Sequence, residues 1–532
     1  ASGSTGKSSA NLYVSRSGRV ETINRWDLNN DGYNDVLIAN DHNVFETVDA
    51  FIYWNSPHGL TSLLPDLWKE SPLAQVALDL MDHKSNLTRL ATFGGGRSTI
   101  ADLNGDGYPE IVFCNYIHNT PGNGIAYVYW GGADGYSLSR RTELPTLWAT
   151  SVKAADLNND GYPELIFANE GAETGLEDLY PDRGRDSFIY WGSASGFDPA
   201  HPGRLPTRGA KDVVAADIDH DGRLDLVFAN NTTYGQDIQV FLGATGAYGA
   251  THSITIPVAK PTSLAAADLN GDGFTDIVVA TDARPVSVGS IAQRGGEANR
   301  TLYIFTGGRD GLSAQRKAEL PALEARDMAA GDFNHDGFAD LAVANTSQGG
   351  KSATPSYVYW GSAAGLAASR RTDLPTLGAT AVAAADLNGD DWPDLVFSNS
   401  NDGASYDVPS YVYWGSSTGF APYLRSNLQT FGAASVNVAD LNGDGRPEVV
   451  FVNQYSGDTG GIRTNIFWGN PHHYYSTASM SSILGQGTYG MTAADLRVGE
   501  FAYKGHAELL WNVVFSGTAA AAAALLAGGV MF

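Results

Sequence analysis

Eight short acidic segments of this chain carry oxygen-bearing side chains at a spacing that could bind a metal ion. They follow the form D-x-[DN]-x-D-G-x-x-[DE]. In one copy, Asp102, Asn104 and Asp106 place oxygens at alternate positions, Gly107 permits a tight turn, and Glu110 completes the set. Oxygen ligands at this spacing suit a hard cation such as Ca²⁺. The segments begin at Asp27, Asp102, Asp156, Asp217, Asp268, Asp332, Asp386 and Asp440.

The net charge of the chain fits this interpretation. The 532 residues carry a formal charge of -25. About eight divalent cations would contribute roughly +16, so much of the acidity is explained as metal ligand. Without metal the clustered carboxylates would repel one another, and we expect metal binding to supply folding free energy. The 33 Lys and Arg residues form no basic run, which argues against a nucleic-acid partner.

Cysteine content and the first residues bear on the compartment. The single cysteine, Cys114, lies in the apolar run EIVFCN and is predicted to be a buried small hydrophobe. The start ASGSTGKSSA has the small polar residues expected after removal of an export signal. Because millimolar Ca²⁺ is found outside cells, we expect a secreted or cell-surface protein.

The spacing of the acidic loops predicts the fold. After a first interval of 75 residues the loops recur every 51–64 residues, which is typical of a four-stranded blade. Each unit has an apolar run, the acidic loop, a β-rich run ending in Asn, a variable stretch and an aromatic strand such as YVYW. The prediction is an all-β propeller of eight to nine four-stranded blades, with the acidic loop between the first and second strands.

The number of blades stays open between eight and nine. A ninth unit, TAADLRVGEFAYKGHAELLWNVVF, has Arg497 where a ligand is needed and should bind no calcium. Residues 12–23 could complete the unit at 488–515 and close a nine-bladed ring, but eight blades with one unit used elsewhere is the alternative. The predicted organisation is an extension at 1–11, a propeller at 12–515 with an insertion at about 66–90, and an apolar Ala-rich tail at 516–532.

The strand, the DxNxDGxxD loop, the second strand and the Y-x-Y-W-G strand together resemble the FG-GAP or VCBS-type repeats of secreted proteins and of the integrin α-subunit propeller. The resemblance covers nearly the whole chain, about residues 12–515. It implies about eight structural Ca²⁺ sites, each with four side-chain ligands and one backbone carbonyl.

Carried over residue by residue, the implied ligands are Asp27, Asn29, Asp31, Tyr33 and Asp35; Asp102, Asn104, Asp106, Tyr108 and Glu110; Asp156, Asn158, Asp160, Tyr162 and Glu164; Asp217, Asp219, Asp221, Arg223 and Asp225; Asp268, Asn270, Asp272, Phe274 and Asp276; Asp332, Asn334, Asp336, Phe338 and Asp340; Asp386, Asn388, Asp390, Trp392 and Asp394; and Asp440, Asn442, Asp444, Arg446 and Glu448. In each group the fourth residue contributes its carbonyl oxygen. The seventh loop departs from the pattern because Asp391 replaces glycine, but Asp can adopt a left-handed conformation at some cost.

Two other interpretations of the loops are weaker. An EF-hand needs a Glu at position twelve and helical flanks, whereas position twelve is Ile38 in the first loop and Phe113 in the second. Isolated Asp-Gly turns are usually solvated hairpins. Eight matching ligand spacings argue against that explanation here.

Recognition is expected on the face opposite the acidic loops. The connections between second and third strands vary in length and composition, for example at 169–187, 281–300, 399–410 and 453–464. The recurrent Asn residues at the ends of second strands could ring that face, although backbone capping is the favoured interpretation. They are Asn40, Asn115, Asn169, Asn230, Asn345, Asn399 and Asn453.

Three functions remain compatible with the sequence. The first is an adhesion or recognition module for a glycan or an extracellular protein. The second is a structural subunit that polymerises through its termini, because the tail SGTAAAAAALLAGGVMF has no place in the repeat and is too short for a membrane span. The third is a polysaccharide lyase using His42, Tyr116 and His118, but no complete catalytic set can be assembled.

Overall fold

The computed structural model describes the chain as a series of small antiparallel sheets. The described residues are 12–14, 20–22, 27–29, 31–40, 49–55, 87–93, 97–115, 124–171, 186–232, 235–243, 248–249, 252–281, 301–347, 351–442, 444–453, 463–470, 475–484 and 488–491. Within them the strands form eight four-stranded sheets and one two-stranded hairpin, which confirms the all-β prediction. Helical structure in these residues consists of two short 3-10 segments, Leu138–Arg140 and Thr477–Ser479, and of His252.

The four-stranded sheets are numbered as blades 1 to 8 in chain order. The hairpin contains β1 (Leu12–Val14) and β2 (Val20–Thr22). Blade 1 contains β3 (Val36–Asn40), β4 (Ala50–Tyr53) and β5 (Leu87–Leu90); blade 2 contains β6 (Arg97–Ala101), β7 (Glu110–Asn115), β8 (Gly124–Tyr129) and β9 (Arg141–Thr146); blade 3 contains β10 (Ala149–Ala155), β11 (Glu164–Asn169), β12 (Ser187–Tyr190) and β13 (Gly203–Leu205); blade 4 contains β14 (Ala210–Ala216), β15 (Asp225–Thr232), β16 (Gly235–Phe241) and β17 (Ser253–Pro257). Blade 5 contains β18 (Pro261–Ala267), β19 (Asp276–Thr281), β20 (Thr301–Phe305) and β21 (Lys317–Pro321); blade 6 contains β22 (Ala325–Gly331), β23 (Asp340–Asn345), β24 (Ala353–Tyr359) and β25 (Arg371–Leu377); blade 7 contains β26 (Ala379–Ala385), β27 (Asp394–Asn399), β28 (Pro409–Tyr413) and β29 (Arg425–Gln429); blade 8 contains β30 (Ala433–Ala439), β31 (Glu448–Asn453), β32 (Arg463–Phe467) and β33 (Met480–Leu484). The last strand, β34 (Thr488–Met491), joins blade 1.

The hydrophobic core lies between neighbouring blades. Second strands such as β11 and β27 are buried along their whole length because a neighbouring blade covers each of their faces. Val112 and Cys114 of blade 2, for example, pack in one cluster with Leu165 and Phe167 of blade 3. The first strands contact one another around the ring, and small Ala side chains, as in β26, permit that close approach. Cys114 is a buried free thiol, as predicted.

The ring is closed by the last strand of the described chain, which completes the sheet of the first blade. β34 pairs with β3 as the inner strand of blade 1, so residues from both ends build one sheet. Asn34 Nδ2 also donates to the Asp440 carbonyl of blade 8 at 2.8 Å. The count of eight blades is therefore the one that the structure supports. The nine-bladed alternative is not supported, because residues 12–14 pair with 20–22 rather than completing a sheet with residues 488–491.

Most of the predicted insertion lies outside the described residues, and so do the Ala-rich tail and most of the predicted ninth unit. Residues 56–86 include most of the predicted insertion, while β5 occupies its last four positions, 87–90. Arg497 and the tail at 516–532 are also outside this part of the chain, as are residues 508–515. No helix among the described residues is long and apolar enough to cross a membrane.

In four blades a tyrosine hydroxyl on the third strand links the blade to the outer part of the preceding blade. The hydroxyl of Tyr190 in blade 3 donates to the carbonyl of Pro145 in blade 2 at 2.5 Å. The same contact joins Tyr129 to Ala91, Tyr359 to Pro321 and Tyr413 to Pro375. Three of these four contacts join the aromatic strand motif to a Leu-Pro pair in the fourth strand of the preceding blade, at 144–145, 320–321 and 374–375.

The tryptophan that follows the third strand packs on a glycine of the next blade. A Cβ on Gly196 would lie 2.9 Å from the Trp130 ring, and one on Gly419 would lie 2.7 Å from the Trp360 ring. Both glycines have positive φ, of 86° and 81°. The repeated W-G-x-x-x-G pattern thus follows from close packing between blades and from a left-handed turn.

Removing one tyrosine hydroxyl should measurably weaken the ring. We expect Tyr359→Phe to lower the free energy of unfolding by about 1–3 kcal/mol, because the Pro321 carbonyl loses its buried donor. Tyr423→Phe is the matched control, since that side chain is 81% exposed, and it should change stability by less than about 0.5 kcal/mol. Urea unfolding of both variants measures the difference, and equal effects would contradict the assignment.

Candidate metal centres

The eight acidic loops lie at one end of the ring. In blades 2 to 8 each loop joins the first strand to the second, so that Asp156 follows β10 and Glu164 begins β11. In blade 1 the loop at 27–35 precedes β3, but the inner strand β34 comes from the other end of the described chain. We call this end the acidic face, and it also carries the third-to-fourth strand connections. The other end, with the remaining connections, is the opposite face.

Each loop is shaped by its own side chains. In the sixth loop Gly337 N donates to Asp332 Oδ2 at 2.9 Å, and Asp336 N donates to Asn334 Oδ1 at 3.0 Å. Both bonds recur in all eight loops. The first and third positions are thereby held by backbone N–H groups before any cation binds.

The fifth position of each loop orients the residue expected to supply a carbonyl ligand. Tyr108 N donates to Asp106 Oδ1 at 2.8 Å, and the equivalent bond occurs in every loop. The residues so oriented are Tyr33, Tyr108, Tyr162, Arg223, Phe274, Phe338, Trp392 and Arg446. Their side chains vary because this bond needs only their backbone, although the guanidinium groups of Arg223 and Arg446 also donate to Asp221 Oδ2 and Asp444 Oδ2.

The ninth position is a buried carboxylate that connects the loop to the third strand. Asp340 accepts Phe333 N at 2.9 Å on one oxygen and Gly361 N at 2.7 Å on the other. Gly361 follows the tryptophan of the YVYW strand, and a residue at this place donates in all eight blades. This partner was missed in the sequence, although the recurrent glycine after the tryptophan was a visible signal.

The side chains of one loop converge as a metal site requires. In the fourth loop, oxygens of Asp217, Asp219 and Asp225 all lie within 4.8 Å of one another. In the second loop the amide nitrogen Nδ2 of Asn104 lies 3.1 Å from Asp106 Oδ2 and 3.5 Å from Glu110 Oε1. A donor set of carboxylate and amide oxygens suits Ca²⁺, so the residues present fit that ion.

Burial raises the pKa of every ninth-position carboxyl, and the neighbouring loop carboxylates raise it further. The pKa is raised to about 8 for Asp35, Asp394 and Glu448, to about 7 for Glu110, Glu164 and Asp340, and to about 6 for Asp225 and Asp276. The backbone N–H donors oppose these shifts without cancelling them. In the metal-free loop, ionisation of the carboxyl at the ninth position therefore costs free energy, and a bound cation would offset that cost.

The raised pKa values predict opposite pH responses with and without metal. Each of these carboxyls holds its proton more tightly in the folded metal-free protein than in the unfolded chain, so the folded state binds more protons between about pH 4 and 8. Stability of the metal-free protein should therefore fall as the pH rises from 5 to 8. Calcium displaces those protons, so the calcium-loaded protein should instead gain stability over the same range.

Melting curves at pH 5 and pH 8, recorded in EDTA and in Ca²⁺, test this pair of slopes. Parallel pH dependence in the two conditions would contradict the proposed proton displacement.

The seventh loop keeps its shape despite the missing glycine. Asp391 has a φ of 70°, and its N–H donates to Asp386 Oδ2 at 2.9 Å, as the glycine N–H does elsewhere. The aspartate therefore adopts the left-handed conformation that was expected of it. Trp392, the next residue, stacks on His335 of the sixth loop with ring centroids 4.5 Å apart. Adjacent loops thus contact one another on the acidic face.

The strand-ending Asn residues are backbone caps in the described structure. Asn399 Oδ1 accepts Leu377 N at 3.1 Å, and its Nδ2 donates to the Pro409 carbonyl at 2.8 Å. Asn115 and Asn345 make the same pair of bonds and are also buried. The capping interpretation is confirmed for them, and they are not available to ring a ligand surface.

The opposite face combines strained turns with charged side chains. Trp148, in the turn between blades 2 and 3, has a φ of 52°, and its carbonyl accepts Glu170 N at 3.1 Å. Glu170 pairs with Lys211 of blade 4, and Arg208 pairs with Asp237 at 2.6 Å. Of the variable stretches, 399–410 is described throughout, whereas most of 169–187, 281–300 and 453–464 lies outside the described residues, as do His42, Tyr116 and His118.

Comparisons with known proteins agree with the repeats. Residues 102–167, 217–279, 332–397 and 392–451 match the family described as FG-GAP-like repeat. Cartilage acidic protein 1 of Mus musculus is 21% identical over 373 residues, covering 65% of this chain and 51% of the relative. The Homo sapiens protein of the same name is 21% identical over 65% of this chain and 50% of its own length. The chain spans about half the length of the curated relatives it matches.

Two solved structures are similar at low identity. The V. cholerae biofilm matrix protein Bap1 is 15% identical and aligns over 90% of this chain and 81% of its own, with a TM-score of 0.33. A protein from Lactobacillus plantarum is 13% identical and aligns over 71% of this chain and 95% of its own, with a TM-score of 0.38.

Proposed function

Because this chain belongs to the FG-GAP-repeat β-propellers, we propose that it is a secreted, calcium-stabilised recognition module that binds a glycan or an extracellular protein. Similarity to proteins named cartilage acidic protein supports an extracellular role. The propeller scaffold alone does not set the function, so the argument depends on how the two faces differ.

Calcium has a structural role in this proposal. The ions would be held by the first, third, fifth and ninth positions of each loop, with the seventh carbonyl completing the set. Bound Ca²⁺ would neutralise carboxylates that burial otherwise penalises, and it would fix the connection between the first and second strands. Eight near-identical loops at one end suit a scaffold better than a single catalytic centre.

Recognition is assigned to the opposite face. The observation that carries this is the division of the connections: every loop between first and second strands repeats one hydrogen-bonded pattern, whereas the connections between second and third strands, at the other end, differ from blade to blade in length and composition. Trp148, Lys211 and Arg208 contribute an aromatic ring and two cations to that end. Variable loops on a rigid scaffold are the usual place for binding.

A glycan and matrix-protein array tests the proposal. Calcium-loaded protein should bind a discrete subset of neutral, uronate or sulfated glycans or extracellular proteins. Hydrogen exchange with the best binder should then protect the second-to-third and fourth-to-first connections and leave the acidic loops unchanged. Trp148→Gly is a useful variant because Gly378 and Gly432 occupy the same turn in other blades. It should weaken binding, whereas Arg309→Ala on the acidic face should not.

Two outcomes would reject this function. Protection confined to the acidic face would place recognition at the wrong end of the ring. Unsaturated products, detected by ultraviolet absorbance after incubation with uronate polysaccharides, would favour the lyase alternative.

A further inference from the structure

The outer edge of blade 7 departs from the repeat at four neighbouring positions. We define the blade 7 edge as residues 423–429, which comprise β29 and the two residues before it. Blade 6 has Ser369, Arg370, Asp373 and Pro375 where blade 7 has Tyr423, Leu424, Asn427 and Gln429. Together the four changes alter the backbone donors, the exposed apolar surface and the charge of this edge.

The first consequence concerns the backbone. Trp414 N donates to the Leu424 carbonyl at 3.3 Å, and bonded and non-bonded pairs alternate along the β28–β29 ladder. The N–H groups of Arg425, Asn427 and Gln429 therefore point away from β28. Proline at the last of these positions deletes one outward donor, and it occurs in five other blades at Pro145, Pro206, Pro257, Pro321 and Pro375. Blades 1 and 8 also lack this proline, with Ala91 and Leu484, so the open backbone alone does not set blade 7 apart.

The second consequence concerns apolar surface. In blade 6 the Arg370 guanidinium folds back and donates to the Gly365 carbonyl of its own turn, as Arg140 and Arg316 do in blades 2 and 5. Leu424 cannot make that bond and is 53% exposed, while the adjacent Tyr423 is 81% exposed. Among the described residues, three of the four exposed large hydrophobic side chains belong to blade 7: Tyr406, Tyr423 and Leu424.

The third consequence concerns charge. In blade 6 Arg371 pairs with Asp373 at 2.6 Å, and blades 2 and 5 have the equivalent pairs Arg141–Glu143 and Lys317–Glu319. Asn427 removes that acid from blade 7. Arg425 still lies over the Tyr411 ring, 3.8 Å from its centre, but no carboxylate of the described residues pairs with it. A partner can therefore supply the missing negative charge.

From these observations we propose that the blade 7 edge binds an extended strand of a partner protein, which adds to β29 as a fifth strand. The outward N–H groups of Arg425, Asn427 and Gln429 and the outward carbonyls of Arg425 and Asn427 select a backbone in β conformation, while the Gln429 carbonyl accepts Asn465 Nδ2 of blade 8. Tyr423 and Leu424 accept an apolar side chain, and Arg425 pairs with an Asp or Glu of the incoming strand. A second copy of the edge fits poorly, because its sequence YLRSNLQ contains no carboxylate to meet Arg425. This surface is separate from the opposite face and does not depend on the function proposed for it.

The repeat itself supplies the variant that tests this surface. Tyr423→Ser, Leu424→Arg, Asn427→Asp and Gln429→Pro together restore the residues of blade 6, and this restored-edge variant should fold because blade 6 has the same residues. A displayed library of random linear 12-residue peptides is selected on the calcium-loaded protein, with counter-selection on the restored-edge variant. Synthetic copies of enriched peptides are then measured by fluorescence anisotropy.

We expect enriched peptides that alternate apolar residues with at least one acid and that bind the restored-edge variant at least tenfold more weakly, a loss of about 1.4 kcal/mol. Replacing the acid of the peptide by lysine should abolish binding. Gln429→Pro alone keeps the apolar and charged side chains but also removes the Gln429 Nε2 donor to Asp407, so Gln429→Ala, which keeps the backbone N–H, is its control, and weaker binding by the proline variant than by the alanine variant would report the lost N–H donor. The single proline variant also keeps the test valid if the fourfold variant does not fold. The control Pro375→Gln in blade 6 should create no binding.

Several results would overturn the proposal. They are the absence of any enriched peptide, equal affinity of the peptides for wild type and for Gln429→Pro, or tolerance of lysine in place of the acid. Sedimentation showing a dimer that Gln429→Pro dissociates would assign the edge to a second copy of this chain instead.

Discussion

Chelation of calcium should lower the melting temperature by about 20 °C. A site filled at one hundred times its dissociation constant stabilises the folded state by about 2.7 kcal/mol, so eight independent sites contribute on the order of 20 kcal/mol. For a chain of 532 residues the entropy of unfolding is roughly 1.1 kcal/mol per kelvin, which converts that energy into the expected shift. Calorimetry in EDTA, followed by readdition of Ca²⁺, measures the effect and its reversal.

Single-loop variants provide the internal control for this experiment. Asp217→Asn removes one carboxylate from the fourth loop, where three carboxylates converge, and should lower the melting temperature by only about 2–3 °C. Asp310→Asn, an exposed residue on a third-to-fourth strand connection, should have no effect. A melting curve that EDTA leaves unchanged would reject the structural role of calcium and the metal assignment of all eight loops.

Removal of the closing strand should have the second large effect. A chain that ends at residue 487 lacks β34, so β3 loses its inner neighbour and the backbone groups of Ile38–Asn40 lose their ladder to that strand. Ile38 and Phe51 of blade 1 pack with Val450 and Val452 of blade 8 in a cluster that the open ring would expose. The truncation should lower the free energy of unfolding by an amount that approaches the whole stability of an ordinary domain, about 5–15 kcal/mol. The truncated chain should therefore aggregate.

The control for this truncation is a chain that ends at residue 515. It keeps β34 and removes only the Ala-rich tail, so it should melt within a few degrees of the full chain. Circular dichroism and size-exclusion chromatography compare the three chains. Unaltered folding of the chain that ends at residue 487 would mean that blade 1 does not need β34. Loss of a large assembly on removal of residues 516–532 would support the polymer hypothesis instead.

The ligand positions could be predicted from the sequence because they are local. Asp332, Asn334 and Asp336 shape their loop through bonds to N–H groups no more than five residues away. The left-handed conformation of Asp391 was foreseeable for the same reason, since it depends on backbone sterics at one residue. Gly361 was not foreseeable in this way, because its contact with Asp340 requires the third strand to lie beside the second.

Strand order around the ring could not be derived from repeat counting. The sequence offers nine copies of the inner strand pattern, and residues 12–23 look like a usable outer strand. Which copies share a sheet is decided by packing at the point of closure, where β34 joins β3 and the Asn34 amide reaches blade 8. A count of similar segments contains no information about which segment pairs with which.

The eightfold acidic pattern, the all-β class and the shape of the candidate ligand loops were determined by the sequence alone, because spacing within a nine-residue loop sets its geometry. The tertiary structure decided the number of blades, the burial that raises the pKa of residues such as Glu448, and the joining of tyrosine and proline motifs across blades. It also showed that the changes at Tyr423, Leu424, Asn427 and Gln429 fall on one solvent-facing edge. These properties arise from contacts between distant parts of the chain, and only the closed ring brings those parts together.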